Sequence, residues 1–134
     1  MSKIVEKLKK RKGLNAIQGC SAEQVKNAQD ELDIIFPNEY VDYVKAFGCI
    51  DFGSTEWTGL NIAGRLNTVD ATKREMKVNP NFPKGCFVLE NLGIDAKLII
   101  VDERGQVYLL QYDKKTYYCE SISAYLDKCI ERNK

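Results

Sequence analysis

Histidine is absent from this chain of 134 residues, and its absence removes whole classes of chemistry. Without an imidazole there is no Ser-His-Asp or Cys-His nucleophilic constellation and no histidine-ligated metal. The side chain whose ordinary pKa lies nearest neutrality is missing as well. Neither a GxxxxGKS/T nor a GxGxxG phosphate loop occurs. The five cysteines, Cys20, Cys49, Cys86, Cys119 and Cys129, are odd in number and widely spaced, and no CxxC is present. That excludes a zinc ribbon and a thioredoxin-type redox pair. Cys86, Cys119 and Cys129 lie in apolar patterns, where a free cysteine behaves as a small buried hydrophobe. The expectation is buried, reduced thiols rather than disulfides, which belong to oxidising compartments.

No apolar run approaches the roughly 20 residues of a membrane span. The opening MSKIVEKLKKRKG is basic, but it has no apolar h-region and no cleavage site, so it does not read as a secretory signal. A cytoplasmic location without membrane contact is expected. Acidic residues are plentiful, 19 in all, so a carboxylate pair for acid–base work could be drawn almost anywhere and carries no specificity. Asp95 and Asp102 lack the ligand spacing of a calcium loop. The chain is expected not to be an enzyme and to need neither cofactor nor metal.

What is present is a soluble-type composition in a length suited to one domain, 1–134, with 44% hydrophobic and 29% charged residues. Net charge is +1 but unevenly placed. Lys3, Lys7, Lys9, Lys10, Arg11 and Lys12 face Glu6 alone, which leaves a net −4 on the remainder. A basic opening helix on a mildly acidic body argues against direct nucleic-acid binding, which usually needs a broad basic surface. The basic run reads as a solvated helix face; contact with nucleic acid through Lys9 to Lys12 is the competing reading.

Residues 3–11 read as a short helix with Ile4, Val5 and Leu8 on one side, stopped at Gly13. Residues 14–19 are a connector or short edge strand. Helices follow over roughly 21–32 and 37–47. The first opens with Ser21 and Gln24 at capping-box spacing, and Val25, Ala28 and Leu32 recur along it. Pro37 suits the first turn of the second, where Tyr40, Val41, Val44 and Phe47 share a face and Gly48 closes the end. Residues 49–54 read as a turn-rich loop, and 56–62 (EWTGLNI) as a strand interrupted by Gly59, a position that often marks a bulge or a close backbone approach.

A charged helix over 67–77 ends at Asn79-Pro80. Strands at 86–90 (CFVLE), 97–101 (KLIIV) and 107–112 (VYLLQY) form an antiparallel meander, with 116–119 as a possible edge strand. The apolar run 98–101 reads as a central strand buried on both faces, or on one face and by a neighbour. Alternation sets Tyr108, Leu110 and Tyr112 on one face and Val107, Leu109 and Gln111 on the other. A closing helix carries Ile122, Tyr125, Leu126, Cys129 and Ile130 at helical spacing after Ser121. Helices, then a meander, then a helix describe an α+β domain: a curved, mainly antiparallel sheet with N-terminal helices and a C-terminal helix packed on it.

The order of these blocks resembles the SUKH superfamily, the Smi/Knr-like group that includes yeast cell-wall regulators and bacterial immunity proteins. The resemblance runs over residues 14–131. It is carried by SAEQVKNAQDELDIIFPNEYVDYVKAFG, EWTGL, FVLENLGIDAKLIIVDERGQVYLLQY and SISAYLDKCI, with Pro37, Glu39 and Tyr40 at the helix-turn. Where the family often has Asn-Gly-Gly after that helix, this chain has Phe47-Gly48-Cys49. The resemblance implies an immunity protein that binds the toxic domain of a cognate polymorphic or contact-dependent toxin, often a nuclease, and occludes it stoichiometrically. The alternative it implies is an intracellular scaffold or regulator of the Smi/Knr type.

Candidate partner contacts come from acids beside aromatics in loops, where binding residues collect. They are Asp51, Phe52, Glu56 and Trp57, with Glu90 and Asp95 from the meander turns. Trp57 reads either as a core aromatic or as an interface anchor.

Overall fold

A computed structural model describes residues 3–134. Helix α1 (Lys3–Lys9) is short, yet its Ile4, Val5 and Leu8 are buried. It packs on α3 (Asn38–Phe47) and α5 (Ile122–Arg132). Lys7 fastens it there, donating to the Ser123 carbonyl at 3.0 Å and pairing with Asp127 at 2.7 Å. The basic opening segment is therefore part of the core on one side and solvated on the other.

Helix α2 (Ala22–Leu32) starts at a full capping box. The Gln24 amide donates to the Ser21 hydroxyl, and the Ser21 amide donates to the Gln24 side chain. Pro37 sits one position before α3, as its N-cap, rather than within the first turn. The residues of the helix-turn motif are structural. Glu39 accepts the amides of Ile122 at 2.8 Å and Ser123 at 3.2 Å, capping α5 from another helix. The Tyr40 hydroxyl donates to the Thr68 hydroxyl at 2.7 Å, and Tyr43 donates to the Thr58 carbonyl at 2.7 Å. Both tyrosines are fully buried, so these bonds supply the partners that buried hydroxyls require.

The expected α+β architecture holds, but the strands form two sheets rather than one. The first has the order β1-β2-β3, with β1 (Asn15–Ala16), β2 (Ile50–Phe52) and β3 (Thr55–Glu56) all antiparallel. The second is the meander β4 (Cys86–Asn91), β5 (Lys97–Asp102), β6 (Val107–Gln111) and β7 (Lys114–Cys119). The Thr58 amide donates to the Leu89 carbonyl at 2.7 Å and ties the two together.

Residues 49–54, expected as loop, hold β2, while the expected strand 56–62 stops at Glu56. Gly59 explains the break. Its Cα passes so close to the Gly48 carbonyl and Cys49 that a Cβ there would overlap them. The chain leaves its ladder to make this approach and bridges Asn67 instead.

Both faces of the meander are covered. Phe87, Leu89, Ile99, Val101 and Val107 join the main core with α1, α2, α3 and α5. Val88, Leu98, Ile100 and Leu110 form a second core under Ala71 of α4 (Thr68–Val78) and Phe82. Leu98, Ile99, Ile100 and Val101 are all buried, as a central strand requires.

Candidate functional site

The six candidate contact residues separate by burial. Phe52 and Trp57 are core residues; Trp57 has no exposed surface, meets Tyr43 edge-on and stacks on Tyr125. Their placement as surface contacts is corrected: both side chains point into the main core. Glu90 is also buried, at 2% exposure, and is no meander-turn contact. Asp51 and Glu56 are half-buried and Asp95 is exposed.

The fate of Glu90 follows from a bulge. Val88 pairs with Ile100, but Glu90 pairs with Ile99, so the register slips by one between them. Strict alternation would send Glu90 to the face of Val88. The slip turns it to the face of Ile99 and the main core. There Tyr125 donates its hydroxyl to one carboxylate oxygen, and Arg132 donates to the other at 3.0 Å. Burial pushes the Glu90 carboxyl above its ordinary pKa, with the Tyr125 hydrogen bond and the Arg132 charge opposing. Arg132 and Asn133 also hold the β2–β3 hairpin. Both donate to the Thr55 hydroxyl at 2.8 Å, and Asn133 accepts the Ser54 amide at 2.7 Å.

Asp51 and Glu56 stand directly opposite one another across β2–β3, where like charges repel. Each has its own relief. Asn15 donates to Asp51 at 2.7 Å, and Arg65 grips Glu56 with two bonds of 2.8 and 3.1 Å. The Arg65 hydrogen bond holds the Glu56 carboxyl below its ordinary pKa.

Glu56 and Glu90 both line a cleft of about 570 Å³ between the β2–β3 hairpin, α4, the β4–β5 turn and the end of α5. Arg65, Arg74 and Arg132 enter it from three different segments. A second hollow of about 500 Å³ adjoins it, sharing Glu75 and Leu98. Around the two lie Ile94, Val78 and Tyr112, each with 63–70% of its surface exposed. Sequence reasoning missed Val78 and Ile94. Val78 is flanked by Lys77 and Asn79 and Ile94 by Gly93 and Asp95, and only the fold brings them to one place.

The arrangement sets exposed apolar side chains beside charged groups of both signs, a mixture that docking surfaces share. The thiols of the chain are poor nucleophiles. All five cysteines are free and buried, and burial raises every thiol, those of Cys49 and Cys129 to about 11. Among the described residues no group of three or more Cys, Asp or Glu side chains is placed to hold a metal ion. Nor is any helix there long and apolar enough to cross a membrane.

A family model described as SMI1-KNR4 cell-wall, SUKH_5, matches residues 1–131. The chain belongs to the SUKH family. Domains of this family are of the immunity and Smi1-Knr4 type, in general binding proteins rather than enzymes. No curated protein shows a significant match to this SUKH chain.

Proposed function

We propose that this SUKH protein is an immunity protein that binds a cognate toxin, a nuclease in the first instance, and neutralises it by stoichiometric occlusion. The observation that carries the reading is the convergence of exposed Ile94, Val78 and Tyr112 around two adjoining hollows. A monomer gains nothing by leaving such side chains in water, and apolar patches rimmed by charge mark protein-binding sites. Asp51, Glu56 and Asp95 lie on the hairpin and turn beside them, on a body that is net negative outside the first twelve residues. That net negative charge, rather than the cleft with its three arginines, steers a basic nuclease surface and raises its association rate.

The test is purification from the native host with the adjacent genes intact, followed by a growth assay against the co-purifying protein. A single stoichiometric partner with a toxic C-terminal domain is expected, and co-expression of this chain restores growth. Ile94→Asp combined with Val78→Asp abolishes protection while leaving the thermal midpoint within about 5 °C of wild type, because both side chains are already solvated. Full protection by this double variant sinks the placement; absence of any toxic partner sinks the immunity reading. The SMI1-KNR4 description favours a second reading, an intracellular protein-binding regulator, for which several weak partners appear in place of one tight partner.

A further inference from the structure

The two edge strands of the meander are finished in opposite ways. At β4 the fold seals the edge. The Val88 amide donates to the Thr72 hydroxyl at 2.9 Å, the Val88 carbonyl accepts from the Thr58 hydroxyl at 2.8 Å, and the Leu89 carbonyl accepts the Thr58 amide. At β7 the sheet ends in the open. Residues 114–118 are exposed throughout, and among the described residues no group outside β6 hydrogen-bonds to their backbone. An edge strand of this kind is a template for another strand unless it is guarded.

The guard at β7 is selective in sign. Lys114 and Lys115 lie on the strand and Lys128 lies beside it on α5; none has a carboxylate partner among the described residues. Lys115 rests over the Tyr108 ring at 4.3 Å and Lys128 over Tyr118 at 5.2 Å. Two copies of the chain brought edge to edge would set these lysines against each other. Tyr117 and Tyr118, exposed by 57% and 41%, meanwhile offer flat surface on either side of the strand. Lysines that repel a second copy attract a strand bearing carboxylates, so the same residues set specificity by both routes.

We infer that β7 accepts an extended, acid-bearing segment of a partner protein as an added fifth strand of the meander. Main-chain hydrogen bonds along 114–118 supply the affinity. Lys114, Lys115 and Lys128 pair the acids, and Tyr117 and Tyr118 flank alternate side chains. The site lies apart from the cleft and stands independently of the toxin reading.

The probe is a blocked Glu-Glu-Thr-Val-Thr-Glu-Glu peptide, whose adjacent acids reach both faces of the strand, added to the full chain and followed by amide NMR and hydrogen exchange. Shifts confined to 114–118 and their β6 partners are expected, with exchange of the outward amides slowed about tenfold at saturation. Lys114→Glu combined with Lys115→Glu weakens binding about tenfold and leaves the remaining spectrum unchanged, because both side chains are solvated. A matched Lys-Lys-Thr-Val-Thr-Lys-Lys peptide gives no shifts. Equal response to both peptides, shifts at the cleft instead of β7, or no response up to millimolar peptide overturns the inference. So does a dimer in sedimentation whose formation protects the β7 amides, since the occupant is then a second copy.

Discussion

Glu39 and Ser123 are separated by 84 residues, yet the Ser123 amide donates to the Glu39 carboxylate at 3.2 Å, beside the Ile122 amide at 2.8 Å. A carboxylate on α3 thus completes the N-terminus of α5, which Ser121 caps only in part by accepting the Ala124 amide. The negative charge also meets the positive end of the helix dipole. Pro37, Glu39 and Tyr40 carry the family resemblance, and each has a structural role. Pro37 starts α3, Glu39 caps α5 and Tyr40 bonds to α4. The motif marks a fold and says little about the ligand.

Replacing Glu39 should therefore cost stability without touching a binding surface. Glu39→Ala leaves two amides without their acceptor and is expected to lower unfolding free energy by about 1–2 kcal/mol. Glu39→Gln keeps an acceptor but loses the charge, at a cost of about 0.3–1 kcal/mol. Urea denaturation of the three proteins checks the order; an alanine variant as stable as wild type would show that Ser121 suffices.

Glu90 predicts a pH signature of its own. Its pKa is raised in the folded protein, so the folded state holds the proton more tightly than the unfolded chain does. Stability then falls as pH rises from the ordinary carboxylate value through the raised one, and the loss is complete above it. Glu90→Gln removes this dependence and still accepts from Tyr125. The difference in urea midpoint between the glutamine variant and wild type is expected to move in favour of the variant across that window. Parallel midpoint curves would show that Glu90 titrates normally. Glu90→Ala, which strands the Tyr125 hydroxyl and Arg132, is expected to cost about 2–3 kcal/mol at neutral pH.

Local signals carried most of the element order. Ser21 and Ser121 cap the helices that their spacing announced, and the meander strands fall on the apolar segments read for them. Failures share one cause: contacts remote in sequence. The strand at 50–52 is held on its outer side by Asn15–Ala16, and nothing in Ile50-Asp51-Phe52 itself announces that. Glu90 looks exposed to any reading that assumes an unbroken period of two, and the bulge beside it has no glycine to betray it. Trp57 was open between core and interface because burial depends on Tyr43 and Tyr125, which meet it from other elements. Val78 and Ile94 carry no signal of their own, since two exposed apolar residues 16 positions apart gain meaning only from their neighbours in space.

The first helix offers a sharper test of how much the basic segment matters. Ile4 and Leu8 are fully buried in the main core, whereas Lys3, Lys10 and Lys12 are exposed. Leu8→Ala is expected to cost about 2–5 kcal/mol through lost burial and the cavity left behind. Lys10→Gln combined with Lys12→Gln should stay within about 0.5 kcal/mol of wild type. Thermal or urea unfolding distinguishes them. A leucine variant no weaker than the double lysine variant would mean that α1 is not part of the folded core in solution.

Trp57 is the chain's single tryptophan, and its burial makes it a reporter for folding and not for binding. It stacks on Tyr125 at 6.0 Å and meets Tyr43 at 5.4 Å, with no surface open to solvent. A partner seated on Asp51, Glu56 or the cleft above does not reach the indole unless the core reorganises. Fluorotryptophan incorporated into this chain alone gives a fluorine resonance free of the partner's own tryptophans. That resonance is expected to hold its position on complex formation and to move only on unfolding. A shift on binding under native conditions would mean that docking repacks the core around Trp57, and the rigid surface argued from Ile94, Val78 and Tyr112 would have to give way to a mobile one.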